Sequence, residues 1–257
     1  HEYDDANQRV LVWFDSKSLG DNLAWIPHVE RFRKISKSRV IVSTFWNELF
    51  KSEYPEIEFI KPGRSAENIY ASYKIGCYAL ESRDNNPIPW NKVPLSKICS
   101  DTLGIPYEEE NARINITDKE NRMDGQKYVC ISTASTSGCK HWHGWQEVVD
   151  YLNSKGYKVV VIQKEPLDYM DLEPLNNVIF PNTAEKIEEA MAWLYNCEFY
   201  IGLSSGVSWL ANALGKEVVM ISGFTEPYNE FSCRRVINYN ACYGCWHNHL
   251  FDKGNWK

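Results

Sequence analysis

Apolar residues in this chain gather into short runs that do not alternate with polar ones: VLVWF (10–14), RVIVSTF (39–45), EIEFI (56–60), KYVCIS (127–132), KVVVIQ (158–163), NVIF (177–180), EFYIGL (198–203) and EVVMIS (217–222). A strand with one wet face alternates, so an unalternating run predicts a strand covered on both faces, the habit of parallel sheets. Between the runs the spacing becomes helical. In 143–155, Trp145, Val148, Val149 and Leu152 share one face and Gly156 follows as a stop; in 184–195, Ile187, Met191 and Leu194 repeat the pattern. Strand and helix therefore alternate, which predicts a doubly wound α/β fold.

The alternation lapses from about 83 to 125, where RDNNPIPWNKVP and GIPYEEENARINITDKENRMDG carry prolines and polar residues in place of apolar strands. This predicts a connection between two α/β halves: a first domain with its connection over 1–122, a second over 123–232, and a cysteine-bearing segment over 233–257. No repeat or low-complexity tract suggests another division.

Composition narrows the function classes. The chain has 257 residues, 44% of them apolar, enough for a sizeable core. A net charge of -6 with scattered Lys and Arg leaves no footprint for nucleic acid. No apolar run reaches the roughly 18 residues of a membrane span, and HEYDDANQ lacks the basic start and apolar middle of a signal peptide, so a cytoplasmic protein is expected. The chain opens on His1 and stops at FDKGNWK without a closing element, which reads as a fragment or a trimmed chain. Among its eight cysteines, Cys130 and Cys197 lie in apolar segments and read as reduced, buried thiols.

Three strand-to-helix turns carry candidate chemistry. In FDSKSLGDNLAWIPHVERF, a strand ending at Phe14 delivers Lys17, Gly20 and Asp21 to the carboxyl edge of a sheet, where ligands of open α/β sheets bind. Asp21 reads equally as a helix N-cap and as a general base toward a hydroxyl, two compatible roles, while Lys17 reads as a solvated lysine. In ISTASTSGCKHWHGW, a strand runs into the small hydroxyl residues Thr133, Ser135, Thr136 and Ser137, then Gly138 and Lys140. Exposed backbone N–H groups plus one lysine suit a diphosphate, though such loops are also ordinary turns, and the glycine spacing is not that of a Walker loop. In YIGLSSGVSWLANALG, Ser204, Ser205 and Gly206 start an apolar helix whose free N–H groups and positive end suit an anion; a plain capped helix is the bland alternative.

Near the end, CYGCWHNH offers Cys242 and Cys245 with chelating spacing. Metal ligation is favoured over redox chemistry because no helix-start signal accompanies the pair. His247, His249 and Cys233 are the candidates to complete a tetrahedron, although the two histidines are spaced more tightly than the usual pair.

Taken together, SKSLGDNLAWIPHVERF, PLSKICSDTLGIPYEE, STASTSGCKHWHGWQEVVDYL, IGLSSGVSWLANALGKEVVMISGFTEPYNEF and RVINYNACYGCW resemble the bacterial autotransporter heptosyltransferases, relatives of the lipopolysaccharide heptosyltransferases, over nearly the whole chain. The resemblance implies a GT-B fold of two Rossmann-like domains with mainly parallel sheets, the donor held mainly by the second and the acceptor approaching the first. It implies inverting transfer of heptose from ADP-heptose to serine hydroxyls of an autotransporter adhesin. By the same resemblance Asp21 matches the base and Lys140 the lysine on the diphosphate. Ser204, Ser205 and Gly206 would hold phosphate, and the loop from Gly223 through Phe224 to Pro227 would lie near the nucleobase or ribose. No catalytic divalent metal is needed in that scheme, since a lysine and backbone N–H groups take its role.

The family's members carry a further N-terminal region, are expected to form homo-oligomers, and bind a structural iron through four cysteines. This sequence supplies the first two, Cys242 and Cys245, which are therefore expected to bind metal weakly here, outside the catalytic cleft, with His247 and His249 as bystanders. Two rival readings stand beside this one. A GT-B transferase with a lipopolysaccharide acceptor or another nucleotide-sugar donor shares the fold, and a metal-organised assembly module would keep only a degenerate nucleotide site.

Overall fold

The computed structural model describes residues 7–77, 90–181 and 186–247, and the chain divides into two compact units. The first comprises residues up to Asn115 together with Tyr228–Phe231; the second comprises Ile116–Pro227 and the residues from Ser232 onward.

In the first unit the elements run β1 (Arg9–Phe14), α1 (Leu19–Ser36), β2 (Arg39–Ser43), α2 (Asn47–Phe50), β3 (Glu58–Ile60), β4 (Ala71–Ile75) and α3 (Lys97–Leu103). Among the described residues they form a four-stranded sheet of order β3-β2-β1-β4 with every pair parallel, so the strand order reverses between β1 and β4. Helix α1 is buried along most of its length because β2 and α3 both pack against it. Trp25, fully buried, donates its indole N–H to the Leu95 carbonyl at 2.9 Å. One turn further on, His28 is also fully buried, stacked on Tyr107 with 5.6 Å between centroids, and its Nδ1 lies 2.9 Å from the Ser100 hydroxyl. Burial, then the positive charge of Arg31, pushes the His28 pKa down to about 4, so the ring is neutral at pH 7.

The second unit runs β5 (Tyr128–Ser132), α4 (Trp145–Ser154), β6 (Lys158–Val161), α5 (Ile187–Asn196), β7 (Tyr200–Leu203), α6 (Gly206–Ala213), β8 (Val218–Ser222) and β9 (Arg234–Ile237). Its described strands form one parallel sheet of order β6-β5-β7-β8-β9, which reverses between β5 and β7. Val129, Ile131, Val159, Val161, Ile201 and Leu203 pack with Trp145, Val149 and Leu152 of α4 into one buried cluster. Each such side chain contributes about 1.5–3 kcal/mol on leaving water. Residues 116–122 join this unit because Arg122 grips Glu189 of α5 with two bonds of 3.0 Å and Asp118 with one of 2.6 Å.

The fold is thus mixed α/β with parallel sheets, as the unalternating runs predict. Three local expectations change. NVIF forms no strand and contributes only an isolated bridge between Val160 and Ile179. Strands β4 and β9, which no continuous apolar run announces, lie at sheet edges, where one face stays wet and polar residues are tolerated. Asp21 is not the N-cap: Ser18 holds that place with an extended backbone (φ -63, ψ 129), and Asp21 is the third residue of α1. No described helix is long and apolar enough to cross a membrane.

Candidate functional site

In the second unit the carboxyl ends of β5 and β7 deliver two loops to the point where the strand order reverses, the place at which open α/β sheets bind ligands. After β5 the chain folds on itself. The Gln163 Oε1 accepts from the Thr133 N–H at 3.0 Å, the Thr133 hydroxyl at 3.0 Å and the Ala134 N–H at 3.1 Å. Ser135 donates its hydroxyl to the Ser137 carbonyl at 2.8 Å, and Thr136 is exposed. Those hydroxyls shape the loop, and a 3-10 turn over Gly138–Lys140 then carries Lys140 inward. Its Nζ donates to the Ser204 carbonyl at 2.8 Å and lies 5.6 Å from the centroid of the Phe224 ring. The ammonium therefore stands at the entry to α6.

At that entry Ser205 is the N-cap, with an extended backbone and no side-chain capping bond; its Oγ has no hydrogen-bond partner. Gly206 opens the helix, whose first N–H groups have no carbonyl partner within it. A cavity of about 290 Å³ lies against these loops. Of the residues singled out in the sequence, Lys140, Ser204, Gly223, Phe224 and Cys242 line it, while Thr133 lines a smaller cavity of about 110 Å³. The larger one also takes in Ile201, Val219 and Ile221, so it joins a cationic end to apolar walls.

Phe224 is held in place from behind. Gly223 has φ +146, and a Cβ added there would lie 2.4 Å from the Cys242 Cβ and 2.6 Å from its Sγ. Gly244 donates its N–H to the Gly223 carbonyl and Trp246 to the Phe224 carbonyl, both at 2.9 Å, and the Glu226 N–H donates to the His247 Nδ1 at 3.0 Å. The CYGCWH segment is thus zipped to the 223–226 loop. Cys242 forms part of the cavity wall, whereas Cys245 does not line it. Cys242 and Cys245 are both half-buried thiols, three residues apart on this segment. Among the described residues no group of three or more His, Cys, Asp or Glu is gathered to hold an ion. His247 is engaged by Glu226, Cys233 precedes β9, and His249 lies outside the described residues.

The histidines of KHWH have a role that the motif reading did not assign. The His141 side chain is fully covered; its Nδ1 lies 2.8 Å from Asp171 and its Nε2 lies 3.3 Å from the Ser135 carbonyl. His143 approaches the same Asp171 carboxylate at 3.3 Å. Hydrogen bonding from His141 holds the Asp171 carboxyl below its usual range. His141 thus braces the loop that carries Lys140.

In the first unit, Asp21 also sits where its sheet reverses, just beyond the end of β1. It is partly exposed, and the Ser16 hydroxyl donates to its Oδ2 at 2.5 Å while accepting the Ser18 N–H at 3.1 Å. Buried Asn22 fixes the turn by donating to the Ser16 and Ser18 carbonyls at 3.0 and 2.7 Å. The positive end of α1 favours a carboxylate at this position. Lys17 points elsewhere, its ammonium 5.5 Å from the Phe45 ring.

Comparison with known proteins bears on both loops. The family model of glycosyltransferase family 9 (heptosyltransferase) matches residues 95–242. The chain is 36% identical over 250 residues to the autotransporter heptosyltransferase TibC of Escherichia coli O78:H11, covering 92% of this chain and 60% of TibC. It is 32% identical over 258 residues to BimC of Burkholderia thailandensis, described as an inactive autotransporter heptosyltransferase, covering 96% of this chain and 60% of BimC. A crystal structure described as dodecameric iron-containing heptosyltransferase TibC in complex with ADP-D-beta-D-heptose matches with a TM-score of 0.88 at 31% identity, covering 97% of this chain and 69% of that one. The chain spans about 60% of the length of these curated relatives. Because the family match takes in more than half of the chain, including Lys140, the start of α6 and the Gly223 loop, this chain belongs to glycosyltransferase family 9, the heptosyltransferases.

Proposed function

We propose that the chain forms the core of a GT-B glycosyltransferase that moves heptose from ADP-heptose to serine hydroxyls of an autotransporter adhesin, with inversion at the anomeric carbon. The observation that carries the reading is the Lys140 ammonium at the entry to α6, 2.8 Å from the Ser204 carbonyl, beside a cavity with apolar walls. A nucleoside diphosphate asks for that combination. Its charge goes to the lysine and to the N–H groups of Ser205 and Gly206, and its base goes against Phe224 beyond Gly223.

In the proposed reaction Asp21 takes the proton of the attacking serine hydroxyl as its oxygen bonds to the anomeric carbon. The bond from that carbon to the diphosphate oxygen breaks, and ADP leaves with one more negative charge than it carried as part of the donor. Lys140 and the α6 dipole stabilise that growing charge. Ser16, whose hydroxyl donates to Asp21 at 2.5 Å, illustrates the hydrogen bond that an acceptor serine would make. Thr133, Ser135 and Thr136 support the donor site through the shape of their loop. Cys242 and Cys245 would supply two thiolates of a structural iron site completed by residues outside the described ones, and the full protein would be a homo-oligomer, as TibC is described.

Transfer of labelled heptose to an adhesin tests the reading. Asp21→Asn should lower the rate by about 10²–10⁴ while ADP-heptose still binds; full transfer by the variant would remove Asp21 from the role of base. A clear preference for uridine over adenine nucleotides in binding would remove the heptose donor. BimC's description as inactive favours a second reading, in which the chain binds donor without transferring it. Donor binding with no transfer to any protein or lipopolysaccharide acceptor would select that reading.

A further inference from the structure

Gln163 is a buried polar side chain to which the proposed reaction gives no part. It lies two residues beyond β6, where the Ile162 N–H continues the ladder to the Ile131 carbonyl at 2.8 Å, and it is 3% exposed. Its Oε1 accepts from the Thr133 N–H, the Thr133 hydroxyl and the Ala134 N–H at 3.0, 3.0 and 3.1 Å. An amide oxygen has two lone pairs, so three donors fill it. Its Nε2 donates to the Glu165 and Pro166 carbonyls at 3.1 and 3.3 Å, which ties the β5 loop to the chain beyond β6. Further along the loop, the Ser135 N–H turns to the His141 Nε2 and the Ser137 N–H to the Ser135 hydroxyl, both at 3.4 Å. These N–H groups therefore point inward to side chains of the protein, and what the loop brings to the entry of α6 is Lys140.

We propose that Gln163 is a positioning residue of the donor site: by holding the Thr133 and Ala134 N–H groups it withdraws them from the diphosphate and fixes the loop on which Lys140 is mounted. The inference rests on the donor reading of the cavity. The diphosphate charge then falls to Lys140 and the first N–H groups of α6, and the β5 loop serves as their rigid mount. Gln163 does not line the large cavity, so it acts through Lys140 and not on the nucleotide. An apolar side chain of the same length would leave two N–H groups and a hydroxyl without their acceptor. Buried donors are costly to leave unpaired, so the loop would shift to find others. A displacement of about 1 Å in a positioned group can cost about a hundredfold in rate.

Two measurements on the full chain test this. In the first, amide exchange is followed residue by residue by NMR, with and without ADP at about a hundred times its Kd. Exchange at Ser205 and Gly206 should slow by at least about tenfold on binding, whereas Thr133 and Ala134 should exchange slowly from the start and change by less than about threefold. In the second, kcat for heptose transfer is compared in a double-mutant cycle. Gln163→Met should lower kcat by about 10- to 100-fold in the parent. In a Lys140→Met background the same substitution should cost less than about threefold, since no ammonium is left to position. Equal losses in both backgrounds would mark a merely structural role and overturn the inference, as would a folded Gln163→Met variant with kcat within about threefold of the parent. Slowing by tenfold or more at Thr133 and Ala134 with ADP also overturns it, because their N–H groups would then serve the diphosphate, and leaves the donor reading standing. If Gln163→Met fails to fold, the exchange pattern of the parent decides by itself. Unchanged exchange at Ser205 and Gly206 in ADP overturns the donor reading and the inference with it.

Discussion

Replacing Lys140 by Met removes one positive charge while keeping most of the aliphatic stem. The ammonium already stands 2.8 Å from the Ser204 carbonyl, so a diphosphate drawn to the start of α6 would bring an oxygen to about 4 Å or closer. At an effective dielectric constant of about 20, unit charges at about 4 Å interact by about 4 kcal/mol. At about 1.4 kcal/mol per decade this is about a thousandfold in rate, if the departing ADP gains a full charge at the transition state. Bond breaking is only partial there, and loss of a single preorganised donor elsewhere costs about 10²–10³ in kcat, so that range is the expectation for Lys140→Met. Donor KM should rise as well, because the diphosphate is anionic before reaction. Initial rates of labelled heptose transfer at varied donor concentration separate the two effects. Losing the bond to Ser204 costs about 1.5–3 kcal/mol at most, so a melting curve should show a folded variant. A folded Lys140→Met enzyme with kcat within about threefold of the parent would refute the assignment.

Two further outcomes concern stability. Gly202→Ala in β7 places a Cβ 2.1 Å from the Tyr200 hydroxyl oxygen and 2.5 Å from its Cζ, and the ring is fully buried. Such overpacking should cost about 1–3 kcal/mol by urea unfolding, and an unchanged midpoint would mean that the Tyr200 ring has another place to go. For His28 the folded pKa, about 4, lies below the unfolded value of about 6.5, so between these values the unfolded chain binds the extra proton. Its contribution is therefore fully present above about pH 6.5 and is lost as pH falls toward 4, about 3 kcal/mol over the whole window. His28→Gln should flatten that part of the stability profile; an equally steep profile in the variant would show that other groups cause it.

The strands that position the site could be read from the chain because they are interior ones: β5 and β7, from KYVCIS and EFYIGL, are covered on both faces, and β8, from EVVMIS, turns its half-buried side to the cavity. ASYKI and RRVI escaped the same reading because these two edge strands each keep a wet face, where Ser72 and Arg234 are exposed. Lys140 and the Ser204 turn were legible as types of loop, but their meeting across 64 residues was not, since it depends on β5 and β7 becoming neighbours. The duty of Cys242 was the least legible. Its spacing to Cys245 spoke of metal, whereas its fit into the notch at Gly223 arises only once β8 and β9 lie side by side.

Residues Tyr228–Phe231 have a consequence for how the protein is made. They belong to the first unit, where Leu95 donates its N–H to the Asn229 carbonyl at 2.8 Å and Tyr228 donates its hydroxyl to the Asn91 carbonyl at 3.1 Å, with Asn229, Glu230 and Phe231 all buried. During synthesis these four residues leave the ribosome only after β5 to β8 have emerged. Chains usually mature from the N-terminus forward, but here the unit begun first cannot close until most of the second has emerged. A stalled or prematurely cut chain ending anywhere between 116 and 227 would leave that unit with an open flank, a natural handle for chaperones and proteases.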